Sequence, residues 1–566
     1  MSKRRLFNNR PVCFAVFFLL VGILLSEALY SVNHLFRLIP FFIMLAAAVI
    51  TAVLPSSRKF SYLVFSALAG FVAMCAAADL YDAKLVPDYS GEMTATVGSE
   101  IIVEDKIATF TVEDVYIDGQ RLDGKAEVRF YLSGAPAFGA GDVIRLSGRL
   151  TSNAHEAFDS YFAYHVFGGD VFEIYATDAE FVADGEPSFP LNLQLAIKEM
   201  FFRNTDYDTA TIAVALILGD KGAMDDVLYG DVKAAGMAHV LAVSGLHVTA
   251  LATAVFWLLN KLRLNRKISF AVVLVLTFFY VALCSFTPSA IRAFVMTAVF
   301  NFGSVCGFKR DVMSSLCLAA FLIMLFNPFA VMHAGFLLSV FAVFGIVTFA
   351  DPITSLFMKA TNRIAPSILS EKTRQTVPVD CGSVLQGGMR AVYMSDRAVS
   401  YSVFDREKRA YVTVKEKPLR RLLIRISEAS AVAIAANLAT IPFAAYFFGE
   451  VQTLFILSNV LILPYMMLIY TILLIITPFA LITTLHGLVG IFDWLFLPFK
   501  AFSSAIGSVS FASVPMSVSV AGLVCYVLCL ILVSRFVFLK RHERAIAVLC
   551  TITAGLIVGT LAALFS

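Results

Sequence analysis

Apolar runs of about twenty residues recur along most of this chain, and no other feature constrains its fold as strongly. A helix needs about that length to cross a ~30 Å hydrocarbon core. In lipid, backbone amides must be satisfied within the protein, which leaves helices or closed barrels as the spanning elements. Three runs come early, at 12–30, 38–54 and 60–78. Five follow at 239–259, 268–286, 290–307, 312–326 and 333–350, and five more at 429–448, 453–477, about 487–509, 517–538 and 545–565. Composition agrees, with 59% hydrophobic and 15% charged residues against roughly 45–50% and about 25% in soluble domains. A cytosolic enzyme, a disordered hub and a secreted disulfide scaffold are excluded. The expected fold is a polytopic α-helical membrane protein of about 12–13 spans carrying a small extracytoplasmic OB-like β-barrel domain.

Charge sets the expected orientation. The first run has a basic flank (Lys3, Arg4, Arg5, Arg10), as a signal peptide does. Two further runs follow it and no small-x-small cleavage site is evident, so it reads as a retained first span. Basic residues collect at Arg58 and Lys59, at Lys261, Arg263, Arg266 and Lys267, at Lys309 and Arg310, and at Lys540, Arg541 and Arg544. Segment 351–427 holds 14 basic residues against 7 acidic. Alternating the spans places all of these on one side, cytoplasmic by the positive-inside rule, together with the N-terminus. Runs 453–477 and 487–509 must then both cross or neither; Asp493 and Lys500 would let the second lie along the surface. The expected units are N-terminal helices at 1–78, an extracytoplasmic β domain at 79–187, membrane cores at 188–350 and 428–566, and a basic cytoplasmic loop at 351–427. Eight of the nine cysteines fall in spans, Cys381 lies in that loop and none falls in 79–187. No CxxC pair offers zinc a site, and neither disulfide, metal nor cofactor is expected.

Within 91–182, alternation suggests strands at 93–97, 108–117, 126–132, 143–150 and 171–176, separated by Asp118-Gly119, Asp123-Gly124, Ser133-Gly134 and Gly139–Asp142. Five strands in so short a length suit an OB-like barrel, with a generic sandwich as the alternative. From Lys84 to Val182 there are 7 basic and 17 acidic residues. That average repels a polyanion, so only a local face with Arg129, Tyr131, Arg145 and Arg149 is a candidate for DNA contact; a spacer or assembly role is the competing reading. Gly119 to Ala126 nearly spells a P-loop, but Ala126 stands where Mg²⁺ needs a hydroxyl and a strand follows, so a turn is expected.

The most informative stretch comes next. Run 209–219 is apolar but too short to span, and Asp220 and Lys221 interrupt it. Then His239-Val-Leu-Ala-Val-Ser244-Gly245-Leu-His247-Val reads as a membrane helix broken at Ser-Gly and marked by two histidines. Small residues permit close approach or unwinding, and polar groups at depth need partners or water. This string resembles the ComEC-type competence DNA channel family, in a form lacking the C-terminal metallo-β-lactamase-like domain. Order and spacing extend the resemblance through Phe286-Thr-Pro-Ser289-Ala-Ile-Arg292, through Asn327-Pro328 with Gly335-Phe-Leu-Leu-Ser339, through Asn437-Leu-Ala-Thr-Ile-Pro442, and through Phe455-Ile-Leu-Ser-Asn459. Phe158-Asp159-Ser-Tyr161-Phe closes a segment similar to the family's small β domain. The resemblance covers about 75–550.

It implies transport of single-stranded DNA through the bacterial cytoplasmic membrane, with no catalysis. It also implies an extracytoplasmic DNA receptor and a cytoplasmic ATP-driven translocase, which the basic loop would dock. The chain ends at Ser566 directly after its last run, and its eight histidines form no HxHxDH cluster, so a separate nuclease is expected. Its departures from the family are that ending, the long 351–427 segment and the acidic β domain.

Each candidate has a bland reading beside the functional one. His239 and His247 line a path or simply bond neighbouring helices; eight residues apart, they sit about 80° apart on a helix and do not form an i, i+4 metal pair. Arg292 snorkels to the interface or meets a phosphate. Asp220 and Lys221 pair with each other or line the mouth. Asn327, Asn437 and Asn459 are caps or lining amides. Ser244 has no nucleophile elbow. Gly303 and Gly307 offer a weak close-packing motif. The alternatives are a small-solute transporter, which would show half-repeats not seen here, and an embedded hydrolase or transferase, for which only the histidine pair competes as a dyad.

Overall fold

The computed structural model describes residues 11–30, 34–53, 61–104, 107–131, 137–153, 162, 165–166, 169–307, 311–364, 370–378, 400–405, 410–416, 418–483, 485–534, 548–549 and 551. The basic N-terminal tail, the pairs Arg58/Lys59 and Lys309/Arg310, the cluster Lys540/Arg541/Arg544, Cys381 and nearly all of run 545–565 lie outside them.

The apolar runs among the described residues are helical. The first three become α1 (Pro11–Ala28), α2 (His34–Val53) and α3 (Ser61–Asp82). α1 and α3 touch backbone to backbone: a Cβ on Gly22 would sit 1.9 Å from the Ala67 carbonyl oxygen, and one on Gly70 2.1 Å from that of Leu19. Reciprocal glycines allow this approach where no hydrophobic effect drives helices together. The expected close-packing pair is not used this way, since a Cβ on Gly303 meets nothing within 4 Å. Among the described residues, seven helices are long and apolar enough to cross a membrane, and five shorter ones are apolar.

α3 leads directly into a seven-stranded sheet: β1 (Tyr89–Val97), β2 (Ile102–Glu104), β3 (Ile107–Ile117), β4 (Gln120–Arg121), β5 (Lys125–Tyr131), β6 (Val143–Ser152) and β7 (Asp170–Ala183). The order is β1-β6-β7-β5-β3-β2, β5 and β7 run parallel, and β1 also pairs with β3 through a short bulged ladder. This mixed sheet is OB-like. Alternation buries Met93, Phe110, Val128, Ile144 and Ile174 on its inner face. Asp118 (φ 49°) and Gly119 (φ 80°) form the two-residue turn joining β3 to β4, which is what the near-P-loop string does. β2 and β4 are three and two residues long, too short to leave an alternation signal.

The sheet is fastened to the helices by Tyr81, whose hydroxyl donates to the Asn153 carbonyl at 2.8 Å. Its ring meets Phe162 at 5.0 Å, and Phe162 meets Phe329, in the 3₁₀ turn Pro328–Met332, at 5.4 Å.

The core follows: α4 (Phe189–Asn204), α5 (Tyr207–Leu218), α6 (Asp226–Ala234), α7 (Ala238–Leu241), α8 (Gly245–Lys261), α9 (Arg266–Leu283), α10 (Pro288–Val305), α11 (Val312–Phe326) and α12 (Ala334–Ile364). α5 is apolar on every side, and Thr209 to Leu218 are all buried. It is therefore a core helix enclosed by others.

The basic segment contains β8 (Ser370–Pro378), β9 (Ser400–Asp405) and β10 (Ala410–Glu416), ordered β8-β10-β9. α13 (Pro418–Phe448) returns along α12, where a Cβ on Gly345 would lie 2.3 Å from the Ala435 carbonyl. β11 (Glu450–Gln452), α14 (Phe455–Thr483), the 3₁₀ turn His486–Gly490, α15 (Ile491–Gly507), β12 (Ser513–Pro515) and α16 (Val520–Val533) complete the described chain. Lys500 donates to Asp206 (2.6 Å) and Thr209 (3.1 Å) at the start of α5, and Asp493 accepts from the Asp206 amide. The charges of run 487–509 thus face a protein partner.

Candidate functional site at the broken helix

Run 239–259 is not one helix. α7 ends at Leu241, Ala242 turns extended, and Ser244 starts α8 as its N-cap. The Ser244 hydroxyl accepts from the Leu246 amide at 3.3 Å, while His247 Nδ1 accepts from the Ser244 amide at 3.1 Å. The two side chains close a capping box, with histidine in place of the usual Glu or Gln. Accepting at Nδ1 puts the imidazole proton on Nε2. A helix start at this depth would otherwise leave amides without acceptors.

Tyrosines tie the break to its neighbours. The Tyr470 hydroxyl (α14) lies 3.4 Å from the His247 carbonyl and 3.1 Å from the Tyr280 hydroxyl (α9), and Tyr280 donates to the Ile217 carbonyl (α5) at 3.0 Å. The His247 and Tyr470 rings are 4.3 Å apart. Four segments far apart in sequence meet here. His247 is 1% exposed. His239 differs: its side chain is exposed, within electrostatic reach of Lys221.

Asp220 does not pair with Lys221. Lys198 of α4 donates to both Asp220 and Glu100, the latter just before β2, and Asp220 also accepts from the Gly222 amide at 2.9 Å. Burial disfavours the Lys198 ammonium, but the two carboxylates outweigh it and raise its pKa above the ordinary lysine value. Lys221 instead lies over the Tyr229 ring, 5.2 Å from its centre. The β-sheet is thereby clamped to the loop that leads into the broken helix.

The other candidates are dispersed. Arg292, on the second turn of α10, is 3% exposed and so does not snorkel. It lies within electrostatic reach of His333, which precedes α12. Asn327 caps the end of α11, with a buried Oδ1 that has no partner among the described residues. Asn437 and Asn459 lie inside helices and donate to carbonyls one turn back, at 3.1 and 2.8 Å; neither is a cap. On the sheet, Arg129 and Arg149 flank exposed Tyr175 across β5, β7 and β6. Arg129 bonds Glu127 (3.1 Å) and Arg149 bonds Asp88 (2.6 Å). Tyr131 is 64% exposed at the end of β5, and Arg145 is exposed opposite Glu180. Lys198, Tyr280, Tyr470, His333 and Tyr175 were not singled out from the sequence. A hydroxyl inside an apolar run, as at Tyr280 and Tyr470, is a signal that could have found two of them.

A helical array packed around a capped break, with a β-sheet clamped to it by a lysine bridge, defines a multi-pass membrane protein. The chain belongs to the Competence protein family, whose profile matches residues 216–542, more than half its length. That range takes in Asp220, the broken helix, Arg292 and all three asparagines. Over 140 residues the chain is 31% identical to ComE operon protein 3 of Bacillus subtilis (strain 168), a stretch amounting to 25% of this chain and 18% of that protein. No solved structure matches.

Proposed function

We propose that the protein conducts single-stranded DNA across the bacterial cytoplasmic membrane during natural transformation. In this reading the N-terminus is cytoplasmic and the OB-like sheet receives the strand outside. Membership of the Competence family supports a part in DNA uptake. The physical requirement is severe, since bare ions in hydrocarbon cost on the order of tens of kcal/mol. A strand therefore needs a continuous hydrated path. The observation that carries the reading is His239, exposed beside the break between α7 and α8.

Asp220, Lys221, His239, Ser244, Gly245, His247, Arg292, Asn327, Asn437 and Asn459 are the path candidates. Arg129, Tyr131, Arg145 and Arg149 are candidates for contact at the sheet, with Tyr175 added as a stacking surface. An ATP-driven partner docking on 351–427 supplies the pull, a receptor delivers the strand, and a separate nuclease removes its complement. No step of this reading asks the chain for catalysis.

Labelled-DNA uptake into the cytoplasm of a deletion strain, with and without the gene restored, tests the reading. Loss on deletion and recovery on restoration are expected. Uptake at full rate without the gene refutes it.

A further inference from the structure

Cys13 and Cys317 lie 304 positions apart in sequence, yet their sulfurs are 3.0 Å apart. Cys13 is the third residue of α1 and Cys317 the sixth of α11. Both are half-buried. Beyond them, Leu19 and Ile23 of α1 share one apolar core with Ala320, Ile323 and Met324 of α11. The two helices therefore pack in parallel, and the thiols face each other across the seam near their starts. α1 is in turn held to α3 by the backbone approach at Gly22 and Gly70. A disulfide needs a sulfur–sulfur distance of about 2.05 Å, so an approach of about 1 Å closes the bond. Cys75 and Cys284 meet oxygens instead, the Ser26 hydroxyl at 3.1 Å and the Ile217 carbonyl at 3.6 Å.

We propose that Cys13 and Cys317 are a reversible redox pair, closed to a disulfide by hydrogen peroxide and reopened by exchange with a dithiol. First, one sulfur attacks a peroxide oxygen: an S–O bond forms, the O–O bond breaks and water leaves, giving a sulfenic acid. The partner sulfur then attacks that sulfur: the S–S bond forms, the S–O bond breaks and a second water leaves. The two thiols lose two electrons and two protons, and the peroxide takes up both. The step uses sulfur lone pairs and does not require either thiol to be without other neighbours. With the N-terminus cytoplasmic, as proposed, the pair lies at the cytoplasmic ends of both helices, where thiols are ordinarily kept reduced. At its far end α11 runs into Asn327 and the 3₁₀ turn whose Phe329 meets Phe162, which in turn meets Tyr81 of α3. Closing the disulfide fastens the near end too, so the oxidised protein holds α11 to the N-terminal helices at both ends.

The test uses full-length protein in membrane vesicles, as wild type, Cys13→Ser and Cys317→Ser. Each is exposed to hydrogen peroxide, quenched with catalase, alkylated with N-ethylmaleimide and digested for mass spectrometry. In wild type, Cys13 and Cys317 should lose alkylation together and reappear as one linked peptide pair, which dithiothreitol returns to two alkylatable thiols. In either serine variant the linked pair should vanish, leaving the remaining cysteine as thiol or sulfenic acid. Unfolding midpoints in detergent read the restraint on α11. Peroxide should raise the wild-type midpoint by a few degrees, dithiothreitol should reverse the rise, and neither serine variant should respond. Absence of the linked pair from peroxide-treated wild type overturns the proposal, and that outcome needs no variant to fold. Linkage only with copper–phenanthroline overturns it too, because the thiols would then be neighbours without responding to peroxide. A linked protein with an unchanged midpoint overturns the restraint on α11. None of these outcomes depends on the cargo, so this inference and the proposed function fail separately.

Discussion

The Tyr470 hydroxyl lies 3.1 Å from the Tyr280 hydroxyl, and this contact joins α14 to α9 beside the capped start of α8. Tyr280 donates onward to the Ile217 carbonyl, and Tyr470 reaches the His247 carbonyl. Both tyrosines are buried. Phenylalanine at 280 strands an acceptor on α5 and costs about 1–3 kcal/mol. Phenylalanine at 470 costs about 1 kcal/mol. Because they share a bond, the double variant loses less than the sum, by about 0.5–1.5 kcal/mol. Unfolding midpoints of the four proteins in detergent measure this, and strict additivity would disprove the chain of hydroxyls.

Lys198 holds Glu100 and Asp220 together. Replacing it with methionine leaves two carboxylates facing each other, one of them 42% exposed and partly screened. The expected cost is about 1–2 kcal/mol, largely recovered by adding Glu100→Gln and Asp220→Asn. The pH dependence follows from the sign of the shift. The folded pKa of Lys198 is raised from 10.5, so its contribution is complete below 10.5 and is lost only as pH climbs through the higher folded value. The penalty for Lys198→Met is therefore flat through neutral and mildly alkaline pH. A penalty that shrinks between neutrality and pH 9 would contradict the clamp.

How far these features could be read beforehand varies with their range along the chain. Helices in lipid announce themselves by length and apolarity, so α1, α3, α9, α12, α13 and α14 stand where the runs do. Strands with one buried face show period two, which marks β1, β3, β5, β6 and β7. The break before α8 is local chemistry, Ser-Gly with a nearby histidine, and was legible too. Pairing was not. Asp220 sits next to Lys221 in sequence, but the fold brings Lys198 to it from a different helix. The tyrosine chain spans residues 217 to 470, a separation that no local pattern encodes. Arg292 looked able to snorkel because it lies near a helix start; only tertiary packing closes it off.

Glu450 accepts from Ser513 at 2.8 Å and pairs with Lys233 of α6 at the same distance, joining β11 and β12 to the stretch before the broken helix. Burial works against its charge, but these partners lower its pKa below the ordinary 4.5. A lowered acid contributes stability above 4.5 and loses it as pH falls through the folded value. Glu450→Gln should cost about 0.5–1 kcal/mol at neutral pH. The variant and the parent should converge below pH 4.5. Unfolding midpoints at a series of pH values report this, and an undiminished gap in acid would rule out the ion pair as the cause.

Tyr175 stands between Arg129 and Arg149 on the outer face of the sheet, and each arginine already has a carboxylate beside it. Such a face holds a strand by stacking more than by net charge. A base stacked on an aromatic is worth about 1–3 kcal/mol, so Tyr175→Ala should weaken oligonucleotide binding at least fivefold with little change in salt dependence. Arg149→Gln should instead flatten the salt dependence by about 0.7. Fluorescence anisotropy with the full-length protein separates the two. Unchanged binding in both variants would assign the sheet a spacer role.

His239 tests the hydrated path most directly. It is exposed beside the break, whereas His247, eight residues on, is sealed into a capping box. The two should therefore respond differently to the same exchange. Leucine at 239 keeps the volume but presents hydrocarbon where a polyanion must pass, and desolvating a charge there is costly. DNA uptake should fall at least tenfold while protein level and unfolding midpoint stay close to wild type. Glutamine at 239, polar and uncharged, should restore most of the uptake. Leucine at 247 should act on the fold, because the Ser244 amide loses its acceptor at a cost of about 1–3 kcal/mol. Uptake and quantitative blotting in strains carrying each variant distinguish the cases. If His239→Leu transports like wild type, the break between α7 and α8 is not on the route, and the strand must cross elsewhere in the protein.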